Sequence, residues 1–249
     1  MITIAILTRN NERTLAKTLE STKRFSEVIL LDTGSKDSTL EIAKKYPNVK
    51  IFSSDFDNFG KLRNEAANYA SNDWILALDS DEVISNELFE EMQKLHLENN
   101  VCYEIPFLNF YNNKQIKCCG WYPESHVRFY NKTHTSFDNS FVHEKVITKN
   151  YKIQKLKSYI YHTSYHCTDD FLRKMQLYSS LFAEQNKGKK KSSFAKALSH
   201  CIMAFIKSYI LKRGFLGGKE GLIISIYQAN TSFYKYLKLY EANQQEKKL

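Results

Sequence analysis

The protein has 249 residues, of which 43% are hydrophobic and 25% are charged, so most of the chain can fold around an ordinary core. Its 8 glycines and 3 prolines are too few for a turn-dense β sandwich or a low-complexity protein. Five cysteines, two of them adjacent and none in a C-x-x-C pair, indicate neither a disulfide framework nor a zinc site. A reducing compartment fits this composition best.

The apolar segments are short. The N-terminal run meets a charge at Arg9, which makes it too short for a signal peptide. The longest uninterrupted apolar run late in the chain, residues 201–206, is far below the roughly 18 residues that a membrane span requires. We therefore expect a cytoplasmic protein that is soluble or peripheral to a membrane.

The net charge of +9 is unevenly distributed, because the first 100 residues are net acidic and the remainder is strongly basic. Residues 185–219 contain no acidic side chain, and their basic side chains are Lys187, Lys189, Lys190, Lys191, Lys196, Lys207, Lys212, Arg213 and Lys219. Such a segment attracts polyanions. It could be a solvated helix face or a surface that docks on anionic lipid, with nucleic-acid binding as the remaining alternative.

Strand and helix patterns alternate in the first part of the chain. Apolar runs at 2–8, 28–32, 49–53 and 74–79 predict strands, and residues 11–23, 38–46 and 61–70 predict the helices between them. This alternation predicts an α/β fold with a parallel sheet.

The pattern then changes twice. After a predicted helix at 86–97, strand-like segments at 102–108, 127–130, 141–147 and 159–161 indicate a mixed extension of the sheet. From residue 168 onward the spacing of apolar residues is helical, including about 194–211 and 222–240. We predict a domain at 1–166, with halves at 1–100 and 101–166, followed by a basic helical region at 167–249.

Polar clusters follow strands one, two and four, where loops at the carboxyl ends of a parallel sheet bind ligands. Asp79 and Asp81, in a D-x-D pattern, could hold a divalent cation such as Mg²⁺ or Mn²⁺, or could simply cap the next helix. Asp32, before the Gly34-Ser35 turn, could accept hydrogen bonds from a nucleoside, or could belong to an ordinary strand-to-helix turn.

Four motifs in this order resemble the nucleotide-binding half of the inverting family 2 glycosyltransferases: LTRNNE, LLDTGSKDST, GKLRNEA and WILALDSDE. Further motifs, among them CGWYPESHVRFYN, FVHEKV, HTSY and KSYILKRGFLGGKEGL, resemble a narrower branch. That branch comprises the bacterial lipopolysaccharide and lipooligosaccharide core β-1,4-glucosyltransferases that extend inner-core heptose. The resemblance covers essentially the whole chain and implies the Rossmann-like GT-A fold.

The resemblance also implies roles on the donor side. Thr8, Glu12 and Asp32 would hold the uridine, and Arg63 would lie near the diphosphate. Asp79 would contribute to both the nucleotide-sugar site and the metal site, which it would share with Asp81.

On the acceptor side, Glu144 of the VHE motif would be the general base, since one carboxylate is enough for inversion by single displacement. His143 could instead be the base or could orient Glu144, and the sequence does not separate these possibilities. His162 could be a further metal ligand, although a lone histidine is commonly structural.

The resemblance places acceptor contacts at Trp121, Tyr122 and Arg128. An indole face can stack on a sugar, and a guanidinium can hold a phosphate or carboxylate at two points. Aromatic packing within the sheet extension is the alternative for Tyr122.

The resemblance implies a hexosyltransferase that moves glucose from UDP-glucose to a heptose of the lipid-linked core, and we expect it on the cytoplasmic face of an anionic inner membrane. UDP-galactose or another donor, with a capsule sugar or a peptide as acceptor, is the alternative within the enzyme class. A non-catalytic basic module that binds membrane or nucleic acid is the alternative outside it, although we expect no nucleic-acid partner.

Overall fold

The computed structural model describes residues 1–139 and 144–246. The chain forms two compact units, the first made of Met1–Leu108 and Glu124–His162 and the second of Asn109–Pro123 and Thr163–Leu249. The change of unit at residue 163 lies close to the predicted boundary after residue 166. The segment 109–123, however, was predicted within the first domain and groups with the helical unit instead.

The first unit has the alternating order that the sequence predicts. Its helices are α1 (Leu15–Ser21), α2 (Thr39–Ala43), α3 (Phe59–Asn68) and α4 (Asn86–Gln93). The strands of the chain are β1 (Ile2–Thr8), β2 (Glu27–Asp32), β3 (Val49–Ser53), β4 (Trp74–Asp79), β5 (Glu82–Ile84), β6 (Val101–Tyr111), β7 (Lys114–Gln115), β8 (Glu124–Asn131), β9 (Lys152–Lys155) and β10 (Ile160–Tyr165). Of these, β6 and β10 end in the second unit, and β7 lies wholly within it.

These strands form one sheet with the order β3-β2-β1-β4-β8-β6-β10-β5, and β7 and β9 both pair with β6. The pairs among β1 to β4 are parallel, whereas β8 is antiparallel to β4 and β6. The structure thus confirms a mostly parallel α/β sheet with a mixed extension.

Several predicted elements differ from the structure in their bounds; the helix predicted at 86–97, for example, ends at Gln93. The first helix begins at Leu15, because residues 11–14 form a turn in which the Thr14 amide donates to the Asn11 carbonyl at 3.1 Å. Of the strand predicted at 141–147, residues 140–143 lie outside the described residues. Residues 144–147 belong to no strand, although Val146 forms an isolated bridge with Phe137.

Helices cover both faces of the parallel strands, so the strands are apolar on both sides. Ile4 and Ile6 point into one core cluster, which includes Leu15 and Leu19 of α1. The alternate residues of β1 point into a second cluster, which includes Leu62, Ala66 and Ala67 of α3. This double burial fixes the strand ends that present the site described below.

Glu27 is a buried charge at the start of β2. Its carboxylate accepts hydrogen bonds from Thr3 Oγ1 at 2.6 Å, from Lys50 Nζ at 2.7 Å, and from the amide and hydroxyl of Ser71 at 2.8 and 2.7 Å. Burial alone would raise the pKa of Glu27, but these donors outweigh it and lower the pKa from 4.5 to about 2. Folding therefore favours the ionised form.

We expect Glu27→Gln to lower the free energy of unfolding by about 3 kcal/mol at pH 7. The difference from the natural chain should persist above about pH 4.5 and shrink as the pH falls toward 2, because the depressed pKa belongs to the folded state. Urea unfolding at several pH values measures this difference in the free energy of unfolding. Glu20→Gln, which removes an exposed pair with Lys23, is the control, and an equal effect of the two changes would contradict the prediction.

The second unit is mainly helical, with α5 (Thr168–Asn186), α6 (Phe194–Ile206) and α7 (Gly218–Glu246). A π-helical turn at Lys207–Leu211 continues α6, and a 3-10 turn at Gly214–Gly217 leads into α7. Its core joins the segment 109–123 to α5 and α7 through Tyr111, Ile116, Cys118, Phe171 and Ile224.

Residues Phe194–Leu211 form 18 helical residues with a mean hydropathy of 1.3, and 11% of this stretch is buried in the structure. By length and composition alone this helix could cross a membrane. The sequence analysis did not predict this, because it counted uninterrupted apolar runs, whereas the helix continues through Lys196 and Lys207.

Candidate active site

The loops after β1 and β2 are held together by side-chain contacts. The Glu12 carboxylate accepts from the Ser38 amide at 3.0 Å, and the Glu12 amide donates to Asp37 Oδ2 at 3.1 Å. The Asn10 side chain accepts from the Lys36 amide at 2.8 Å. The two loops therefore form one wall. The Glu12 carboxylate is already used within it, because it binds the Ser38 amide.

Asp32 ends β2 and is 3% exposed. It accepts from the amides of Gly34 at 3.1 Å and Ser35 at 3.0 Å, in a turn where Gly34 has a φ of +94°. Thr8, at the end of the adjacent strand, is also buried, and its Oγ1 has no hydrogen-bond partner among the described residues. A buried hydroxyl of this kind can bind a ligand.

Arg63 of α3 links two of the predicted site carboxylates. Its Nε donates to Glu144 Oε1 at 2.8 Å and its Nη2 to Asp79 Oδ1 at 2.6 Å. The Arg63 side chain is 3% exposed and that of Glu144 is 10% exposed. A planar guanidinium with fixed donors can hold both carboxylates in one geometry. Two residues that lie far apart in sequence, Asp79 and Glu144, are thus brought to one place.

A second guanidinium also binds Asp79. Nη2 of Arg128 lies 3.3 Å from Asp79 Oδ2, whereas its buried Nη1 has no hydrogen-bond partner among the described residues. Burial alone would raise the pKa of Asp79, but Arg63 and Arg128 hold it well below its usual range. Asp79 is therefore ionised, and Arg128 retains a donor for an anionic ligand.

Glu82 is a site residue that the sequence analysis did not single out. It is 1% exposed, and its Oε2 accepts from the Asp79 amide at 2.8 Å. Burial and the nearby Asp79 charge raise the pKa of Glu82 to about 7. The only sequence signal was the acidic residue directly after the D-x-D pattern.

His162 lies beside Asp81, with Nε2 at 3.5 Å from Asp81 Oδ1. The antiparallel pairing of β10 with β5, in register His162 to Glu82, brings this late residue to the D-x-D loop. Burial alone would lower the pKa of His162, but Asp81, with Glu82 and Asp79, raises it to about 9. The roles of Asp81 and His162 as metal ligands remain predictions.

The residues of this site fit a divalent cation in part. Asp81 offers an oxygen donor, and the neighbouring His162 offers a nitrogen donor once its imidazolium loses a proton, which suits Mn²⁺ or Mg²⁺ completed by water and phosphate oxygens. Asp79 does not fit as a direct ligand here, because both of its oxygens accept from guanidinium groups. Within residues 1–139 and 144–246, no group of three His, Cys, Asp or Glu side chains is arranged to hold a metal.

Comparison with known proteins decides the family. The model of glycosyl transferase family 2 matches residues 3–172, which is more than half of the chain. An uncharacterised glycosyltransferase of Rickettsia typhi is 30% identical over 96% of this chain and 87% of its own length. The chain belongs to glycosyl transferase family 2. It is a glycosyltransferase, and the interpretation as a non-catalytic module is set aside.

A second Rickettsia relative agrees with this assignment. An uncharacterised glycosyltransferase of Rickettsia prowazekii is 29% identical over 96% of this chain and 86% of its own length. Among solved structures, S. aureus TarS 1-349 in complex with UDP-GlcNAc is 15% identical, with a TM-score of 0.49 and coverage of 99% of this chain and 91% of that one. The matched family places the Rossmann-like sheet of this glycosyltransferase in the GT-A class.

The predicted acceptor residues fall in both units. Arg128 belongs to the first unit and contacts Asp79, as described above. Trp121 and Tyr122 belong to the second, where Trp121 stacks on Tyr165 with ring centroids 5.4 Å apart and Tyr122 is 41% exposed. The acceptor roles of all three stay predictions, as do those of Thr8, Glu12 and Asp32 on the donor side. His143, the alternative base, lies outside the described residues.

Proposed function

We propose that this glycosyltransferase transfers a hexose from a UDP-sugar, with UDP-glucose as the first candidate, to a heptose of a lipid-linked lipooligosaccharide core, with inversion at the anomeric carbon. The observation that supports catalysis most directly is the largely buried trio in which Arg63 binds both Asp79 and Glu144. Arg63 thereby joins Asp79, a carboxylate on the donor side, to Glu144, the base implied by the VHE motif.

The donor would occupy the carboxyl ends of β1, β2 and β4. Two buried polar atoms support this placement, the Thr8 hydroxyl and Arg128 Nη1. Neither atom has a hydrogen-bond partner among the described residues. We assign the Thr8 hydroxyl to the nucleoside and the Arg128 donor to a phosphate or to an anionic group of the acceptor. Asp32 and Glu12 shape the loops around the nucleoside.

Asp81 and His162 would hold the divalent cation. Asp79 would not bind it directly but would position Arg63 and Arg128 nearby, because it accepts hydrogen bonds from both. When bound, the cation neutralises charge on the departing diphosphate. Arg63 and Arg128 supply positive charge to the same region whether or not a cation is bound.

Glu144 would remove the proton from the acceptor hydroxyl. As that oxygen forms its bond to the anomeric carbon, the bond from the same carbon to UDP breaks on the opposite face, and the product is inverted. Arg63 contacts Oε1 of Glu144, so we assign Oε2 as the atom that accepts the proton.

The donor and the acceptor are tested by transfer. Purified enzyme, UDP-[¹⁴C]glucose and a truncated lipooligosaccharide that ends in inner-core heptose should give labelled glycolipid whose anomeric configuration is inverted, as read by NMR. The matched control is the same lipid with the heptose removed. Label transfer from UDP-galactose instead, or to a capsule sugar or a peptide, would contradict this choice of donor or acceptor and leave the transferase assignment in place.

A further inference from the structure

One side of α6 and its π-helical continuation presents a row of exposed apolar side chains. The row, called the α6 face below, consists of Phe194, Leu198, Ile202, Ile206 and Ile210, each between 39 and 58% exposed. Residues spaced by four lie along one side of a helix. In a soluble protein such a row normally packs into the core, whereas here it faces outward.

The opposite side of α6 already has its partner within the same unit. Ala197 of α6 and Ser208 of its π-helical continuation are fully buried, and the hydroxyls of Ser208 and of Ser225 in α7 lie 2.9 Å apart. The His200 ring stacks on Tyr236 of α7 with centroids 3.8 Å apart. The α6 face is therefore a second apolar surface, left over after the helix has packed.

The apolar surface continues around the turn into α7. In the turn, Leu211, Phe215 and Leu216 are 71, 51 and 68% exposed. At the start of α7, Ile226 is 45% exposed and lines a shallow cleft with Ile202 and Ile206 of α6. Exposed apolar side chains grouped along one segment of the chain in this way indicate an interaction site rather than scattered surface residues.

The charges within the segment that carries this surface have one sign. From residue 185 to residue 219 the sequence has no acidic side chain, and α6 and the turn contribute Lys196, Lys207, Lys212 and Arg213. Two copies of this chain pressed together through the α6 face would set these cations against each other. An anionic lipid surface instead matches both the apolar row and the positive charge.

We propose that the α6 face and the following turn insert into the interfacial layer of an anionic lipid bilayer, with α6 parallel to the membrane plane. Packing of α6 against α7 favours this orientation over a span, because a spanning α6 would leave two lysines and the polar side of α7 in hydrocarbon. The proposal concerns attachment alone and holds for any sugar acceptor.

The test is sedimentation of the full-length chain with vesicles of 30% phosphatidylglycerol in phosphatidylcholine. The natural chain should sediment with them, and Ile202→Glu with Ile210→Glu should reduce the partition coefficient by about tenfold or more, because two apolar anchors become charges that anionic lipid repels. Both side chains are more than half exposed, so the fold should tolerate the change. An unchanged rate of UDP-sugar hydrolysis would verify that.

The matched control is Leu172→Glu with Leu177→Glu on α5, since these leucines are 52 and 54% exposed in the same unit. This control should sediment like the natural chain. Charge reversal at Lys189, Lys190 and Lys191 should weaken binding more at low salt than at high salt. Equal sedimentation of the two glutamate pairs, or no sedimentation of the natural chain, would overturn the proposal. A dimer in light scattering that only the α6 pair disrupts would assign the face to a second copy instead.

Discussion

Glu144→Gln should lower kcat for transfer to the acceptor by about 10²- to 10⁴-fold, because a carboxamide cannot take the proton from the attacking hydroxyl. The amide oxygen can still accept the hydrogen bond that Arg63 donates at 2.8 Å, so the site geometry and the affinity for the UDP-sugar should be retained. Transfer kinetics and calorimetric titration with the donor measure the two quantities separately.

The control for this change is Glu90→Gln, which alters another glutamate that accepts from an arginine, Arg24 at 3.0 Å, on an exposed surface. It should transfer sugar at the natural rate. Near-normal transfer by Glu144→Gln would remove Glu144 as the base and move that role to His143 or elsewhere.

Asp81→Ala should reduce metal-dependent release of UDP from the donor by about 100-fold or more, since an anionic ligand of the cation is lost and metal stabilisation of a leaving group is worth several kcal/mol. The change also removes the contact to His162 at 3.5 Å. Release is followed with and without Mn²⁺, and the unfolding temperature reports whether the fold is intact.

Asp57→Ala is the matched control, because Asp57 is an exposed aspartate that pairs with Lys61 at 2.7 Å. It should show the natural response to Mn²⁺. Turnover by Asp81→Ala that equals the natural rate and still responds to Mn²⁺ would eliminate the metal role of Asp81.

The sequence was sufficient to predict the parallel half of the sheet. β1, β2 and β4 are largely apolar runs of six or seven residues that are buried on both sides, whereas β3, at the sheet edge, is shorter and only partly buried. Local pattern and final environment therefore agree for these strands. The polar loops at the carboxyl ends followed from topology, which places them on one edge.

The contacts between the residues of the site could not be predicted in the same way. Arg63 was placed near the diphosphate by motif, but its contact with Glu144 joins residues 81 apart in sequence. The burial of Glu82 depends on a three-residue strand, β5, that pairs with β10 some 80 residues later. Contacts between residues so far apart in sequence leave no periodic pattern in the chain.

The limits of the second unit depend on similar long-range contacts. Segment 109–123 groups with the helical unit through contacts such as that of Lys114 Nζ with Glu220 at 3.0 Å and of the Cys119 amide with the Lys212 carbonyl at 2.9 Å. The strand predicted at 102–108 ends where the unit changes, but the sequence gave no hint that the segment after it groups with the helical unit. The helix at 194–211 was predicted, but its length and hydropathy as a candidate membrane span were not, because two lysines interrupt an otherwise apolar stretch.

Release of UDP by the purified enzyme, measured for UDP-glucose, UDP-galactose and their N-acetyl forms with and without Mn²⁺, tests the central claim most directly. The account predicts Mn²⁺-dependent release from UDP-glucose above the other donors. No release from any donor, together with no UDP binding by calorimetry, would contradict the assignment of the β1, β2 and β4 loops as a UDP-sugar site.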